Sequence, residues 1–292
     1  MKLDGRRESS NVDDRRGFSS GKKAGFGGIG AIIIAGLIAW FTSGGDMGRV
    51  MQAVTETAQQ PAQTEQVQSQ REFTPEEQAL AKFSKQILAS TEDVWTKEFE
   101  KMGLNYLPPK MVLFTSAVNT GCGNATSAVG PFYCSADQSL YIDLTFFSQM
   151  RQQLGADGDF AYAYVIAHEV GHHVQHLLGT LNDAHAQMAK VDKATANKIS
   201  VRIELQADFY AGLWGHQEQA MFNSLEPSDL QEALDCAHVI GDNYLQKKAQ
   251  GYEVPESFTH GTSEQRYRWF KLGFDTGNIK LSDTFSKSDA EL

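Results

Sequence analysis

HEVGHHVQH, residues 168–176, holds four of the chain's eight histidines in nine positions. It lies within AYAYVIAHEVGHHVQHLL, residues 161–178, where Val165, Ile166, Val170 and Val174 supply an apolar body at helical spacing. On a helix, His168 and His172 stand one turn apart on one face, so two imidazoles can point at one position in space. Glu169 is about 100° further round, within reach of a water there. This is the HExxH arrangement of two zinc ligands and a general base. Neutral imidazole nitrogens suit zinc, which lowers the pKa of its water toward ~7. His176 lies about 12 Å along the axis from His168 and cannot share an ion held at ~2 Å. His173 is turned off the ligand row, and both histidines read as structural or supporting residues.

The same stretch decides the fold. From Gly158 the pattern is helical to the C-terminal region, with helices expected near 158–179, 183–196, 199–222, 227–248 and 263–273. Upstream, Thr74 with Pro75 and two acids opens a further helix carrying Leu80, Phe83, Ile87, Val94, Trp95 and Phe99, and Pro108 and Pro109 close it. Between them lie short β-like pieces, MVLF (111–114) and SLYIDL (139–144). No internal repeat is present. The expected class is α+β: a small N-terminal sheet packed on a helical half that carries the HExxH and ExxxD helices, preceded by one transmembrane helix.

A catalytic zinc needs a third protein ligand and an open position. Gln175 and Leu178 exclude the metzincin pattern, which wants Gly and His there. RIELQADFYAGLWG (202–215) offers Glu204 on a returning helix, with Asp208 at i+4 to accept a hydrogen bond from a liganding histidine and fix its tautomer. Asp208 or His216 as ligand is the alternative. Near the end, His260 precedes a Gly-Thr-Ser turn and a helix carrying Arg266. Such a histidine can donate to an oxyanion, although composition alone reads it as a surface turn residue.

The N-terminal region divides by charge. Residues 1–25 carry seven Lys/Arg and four Asp/Glu, residues 26–45 carry none, and the remainder holds 19 basic and 32 acidic residues. Ala24–Gly45 is long enough to span a ~30 Å hydrocarbon core, with Trp40 and Phe41 near one end. Arg15, Arg16, Lys22 and Lys23 flank one side and Arg49 the other, so the positive-inside rule puts the N-terminus in the cytoplasm. A cleaved signal peptide is the alternative. The expected order is a cytoplasmic basic segment (1–23), an anchor (24–45), a Gln-rich tether (46–72) and a zinc metallopeptidase domain (73–292). The expected location is the bacterial inner membrane, single-pass, with the catalytic domain periplasmic or extracellular. Gly27, Ala31, Ala35 and Ala39 form a small-residue stripe that offers a face for self-association. The acidic body, with formal charge −10 for the whole chain, excludes a nucleic-acid partner. Cys122 and Cys134 bracket a Gly/Pro-containing loop and are expected to form a disulfide outside the cytoplasm, while Cys236 reads as a core residue.

HEVGHHVQ, ELQADFYAG, HGTSEQR, SADQSLYIDLTFF and the opening GRRESSNVDDRRG together resemble the YpfJ-like family of neutral zinc metallopeptidases over nearly the whole chain. The resemblance implies a membrane-anchored gluzincin with zinc (Zn2+) at His168, His172 and Glu204 and Glu169 as catalytic acid/base. It also raises His260, because membrane gluzincins of the CAAX-protease type carry a histidine in a similar place. The expected function is a zinc-dependent endopeptidase acting on a peptide or protein substrate. That substrate would add to a sheet edge, SLYIDL being the expected one. The alternative is a non-catalytic membrane-anchored adaptor that keeps a structural zinc. Glu169 separates the two, since a structural site needs no base.

Overall fold

The computed structural model describes residues 1–17 and 72–292. Thr74 caps the first helix, α1 (Pro75–Lys101): its hydroxyl accepts from the Glu77 amide while the Glu77 carboxylate accepts from the Thr74 amide. The apolar face of α1 buries Ile87, Leu88, Val94, Trp95 and Phe99. Four strands, β1 (Val12–Asp14), β2 (Lys110–Phe114), β5 (Phe132–Cys134) and β6 (Ser139–Asp143), form a sheet in the order β1-β2-β6-β5. β1, β2 and β6 run parallel, and β5 runs antiparallel to β6. A separate hairpin, β3 (Ala117–Thr120) with β4 (Gly123–Thr126), rises between β2 and β5.

SLYIDL is not an edge. β6 is hydrogen-bonded on both sides and all five of its residues are buried, so the edges of this sheet are β1 and β5. The all-apolar look of MVLF has the same origin, burial on both faces.

The helical half comprises α2 (Thr145–Gln149), which runs on into a π turn at Met150–Leu154, then α3 (Asp159–Leu177), α4 (Thr180–Met188), α5 (Lys193–Phe222), α6 (Asp229–Val239), α7 (Asp242–Gln250) and α8 (Ser263–Thr276). Two expected boundaries move. The break between the second and third expected helices falls at residues 189–192, where the Asp192 side chain caps α5 by accepting from the Thr195 amide. The expected 227–248 helix is two helices, parted at residues 240–241. α5 packs between α3 and α8, and its glycines set the distances. A Cβ on Gly212 would stand 2.0 Å from the Phe270 carbonyl oxygen of α8, and one on Gly273 would stand 2.1 Å from that of Phe209. On the other side, a Cβ on Gly171 of α3 would meet the Ala207 carbonyl oxygen at 3.0 Å.

The N-terminal region requires a correction. The expected anchor, residues 24–45, lies outside the described residues. Among the described residues no helix is long and apolar enough to cross a membrane. The described residues are α+β with no transmembrane helix among them, and the expected single-pass inner-membrane placement, with the opening segment across the membrane from the body, does not stand. The opening segment gives a second reason. Its expected position was the cytoplasm, across a membrane from the body, yet it is part of that body. β1 pairs with β2, Val12 opposite Met111. Arg6 pairs with buried Glu218 of α5 at 2.8 Å, and Arg7 pairs with Glu92 and Asp93 of α1. A strand cannot lie across a membrane from the sheet it completes. The stripe at Gly27–Ala39 also lies outside the described residues.

Candidate metal centre

α3 and α5 supply the centre. His168 and His172 project from one face of α3 toward Glu204 of α5. His168 Nε2 is 3.1 Å from Glu204 Oε2, and His172 Nε2 is 3.5 Å from Glu204 Oε1. One ligand atom from each of the three residues lies within 4.8 Å of the other two. The far nitrogens are both occupied. His168 Nδ1–H donates to Asp208 Oδ1 at 2.8 Å, and His172 Nδ1–H donates to Gln175 Oε1 at 2.9 Å. Each contact fixes a tautomer that turns an Nε2 lone pair inward. Two imidazole nitrogens and a carboxylate oxygen, oriented in this way, fit zinc.

The charges agree with the geometry. Burial works against a charged His168, but Asp208 and Glu204 outweigh it and raise its pKa to about 9. Burial likewise opposes ionisation of Glu204, yet the His172, His260 and His168 rings hold it well below the usual carboxylate range. Asp208 stays ionised despite burial, because Arg266 and His168 face it. Arg266 Nε and Nη2 reach its two oxygens at 2.8 and 2.9 Å, and the Tyr164 hydroxyl donates to it at 2.5 Å. Arg266 is thereby committed to Asp208, behind the histidines.

The centre opens on a cavity of about 650 Å³. Glu169 lines it, and burial raises its pKa against the pull of His172 and His168. His260 also lines it, from the loop between α7 and α8. Asp242, at the start of α7, organises that loop: its Oδ2 accepts from the amides of Thr259, His260 and Gly261 at 2.7, 2.7 and 3.0 Å. Its Oδ1 lies 3.4 Å from His260 Nδ1. Pro131, Phe132 and Tyr133, at and beside edge strand β5, line it as well. A disulfide joins Cys134 of β5 to Cys122 on the hairpin, as expected.

A family model described as "Putative neutral zinc metallopeptidase" matches residues 1–285. The chain belongs to this family. Among its relatives, "Uncharacterized protein YpfJ" of Escherichia coli (strain K12) is 48% identical over 297 aligned residues, covering 99% of this chain and 100% of the relative. "Uncharacterized protein Rv2575" of Mycobacterium tuberculosis (strain ATCC 25618 / H37Rv) is 45% identical over 194 residues, covering 63% of this chain and 64% of its own. No solved structure matches. The family name implies zinc, and the His168, His172 and Glu204 group is where this chain can hold it.

Of the alternatives to Glu204, Asp208 sits on the far side of His168, and His216 is turned away with Nδ1 on the Phe274 carbonyl at 2.8 Å. His173 and His176 stay off the metal row. His173 Nε2–H donates to the Leu107 carbonyl at 2.7 Å, and burial lowers its pKa to about 4. The sequence reading missed Tyr164, Gln175 and Asp242. Gln175 was legible in retrospect, at i+3 from His172 on the same helix face. Asp242 was not, because its partners are 17–19 residues away, beyond α7 and the loop that follows it.

Proposed function

We propose that this chain is a zinc-dependent endopeptidase with Glu169 as its general base. The observation that carries this reading is the cavity. Glu169 faces the same space as the three ligand atoms, and among the described residues no fourth His, Cys, Asp or Glu joins them. A purely structural zinc site closes its fourth position with protein.

His168, His172 and Glu204 would hold the ion. Zinc, when bound, supplies a Lewis acid that polarises the scissile carbonyl and makes water acidic enough to attack near neutrality. Glu169 takes the proton of the attacking water and returns it to the leaving amine nitrogen. His260, on its Asp242-braced loop, donates to the oxygen that gains negative charge. The substrate lies along β5 as an added strand. Leu181, Met188, Ile203, Phe146, Leu154 and Leu245 line the cavity, which suits apolar side chains. Among the described residues Arg266 is the one Lys or Arg lining the cavity, and it is bound to Asp208. Among the described residues a terminal carboxylate thus finds no free Lys or Arg in the cavity, in keeping with cleavage of internal bonds. The test is cleavage of casein, an unfolded protein, by purified chain of measured zinc content. Cleavage that disappears in Glu169→Gln at equal zinc supports the reading. Zinc without cleavage in either form refutes it and leaves the adaptor.

A further inference from the structure

The centre uses two of the four clustered histidines, and His173 has a different set of partners. It is fully buried on α3, one residue beyond the ligand His172. Its Nε2–H is spent on the Leu107 carbonyl, in the connection between α1 and β2. That leaves Nδ1 as an acceptor, and the Tyr133 hydroxyl donates to it at 2.9 Å. The Tyr133 ring also meets His173 edge-on, with centroids 5.4 Å apart, and lies 6.3 Å from the ring of His176. Tyr133 is the middle residue of β5, the three-residue strand at the sheet edge, and it lines the cavity. So short a strand has few ladder bonds to hold its register. One rigid turn of α3 thus carries a metal ligand and, about 100° round, the acceptor that ties down the edge strand.

We infer that His173 is a positioning residue: through Tyr133 it holds β5 in place, so that an extended substrate can bind along that edge beside the metal centre. The inference rests on the peptidase reading. Tyr133 in turn has its hydroxyl proton engaged with His173 and is not an oxyanion donor.

The test measures binding apart from turnover. In a Glu169→Gln background, a fluorescein-labelled peptide spanning a casein bond cut by the wild type is titrated by anisotropy at verified zinc content. Tyr133→Phe removes one hydroxyl and should weaken binding on the order of 10-fold. His173→Phe should do the same, the double variant should be no weaker than His173→Phe alone, and His173→Gln, which can both donate and accept, should recover part. With Glu169 restored, KM should rise by the same factor while kcat changes little. Unchanged peptide binding in Tyr133→Phe, additive losses, or a fall in kcat at constant KM each overturns the inference. If His173→Phe fails to fold, Tyr133→Phe decides alone. A wild type that neither cleaves casein nor binds any peptide overturns the peptidase reading and this inference with it. An active wild type with insensitive variants overturns the inference only.

Discussion

Replacing Asp208 with asparagine tests how the centre is held. Asp208 is fully buried and accepts from Tyr164, His168 Nδ1 and Arg266 Nη2 on Oδ1, and from Arg266 Nε on Oδ2. Asparagine has the same shape but one acceptor oxygen. If that oxygen serves the Oδ1 cluster, the amide nitrogen confronts the Arg266 Nε–H, donor against donor. The flipped amide confronts three donors instead. In both orientations Arg266, only 3% exposed, loses its counter-charge. Removing one partner of a buried pair costs about 3–5 kcal/mol. The better orientation still gives His168 Nδ1–H a neutral acceptor, so the ring keeps its tautomer and zinc affinity should fall only about 10–100-fold. Urea unfolding of zinc-stripped protein reads the first quantity, and competition with a chromophoric chelator reads the second. Glu204→Ala, which deletes a ligand outright, should lose more affinity than Asp208→Asn while destabilising the stripped protein less. The reverse ranking in the titration, or a destabilisation under about 1 kcal/mol, would refute this account of Asp208.

Glu169→Gln should retain one zinc per chain by metal analysis and lose cleavage by at least ~10²-fold, since the amide cannot take the water proton. His260→Phe should keep zinc and fold, and lower kcat by ~10²–10³-fold with little change in KM; near wild-type kcat returns His260 to a turn-shaping role. Asp242→Ala strips an acceptor from three amides of the His260 loop, so thermal stability and kcat should fall together while zinc content stays constant, as scanning calorimetry and steady-state kinetics would show. Reducing the Cys122–Cys134 bridge, which closes a loop of separation 12, should lower stability by about 3 kcal/mol in the chain-entropy description, measured as urea midpoints with and without reductant.

What the sequence determined by itself lies within single helices or short spans. His168, Glu169 and His172 are related by the helical repeat alone, so their shared face followed from spacing. Thr74 with Glu77 fixed the start of α1 by a local hydrogen-bond exchange, and the Cys122–Cys134 loop was short enough to read. Tertiary structure decided whatever depends on long-range pairing. SLYIDL carries no mark that both its edges are bonded, so its interior position, and β5 as the free edge, emerged only with the sheet order. The opening segment looked like a basic flank of an anchor. Its Arg6 and Arg7 have partners 212 and 85 residues away, and β1 has a partner strand near residue 111, so nothing local could show that it completes the sheet. Asp208 was placed by its i+4 spacing, but Tyr164 and Arg266, which hold its charge, converge on it from α3 and α8 only because the glycines of α5 and its neighbours let those helices approach so closely.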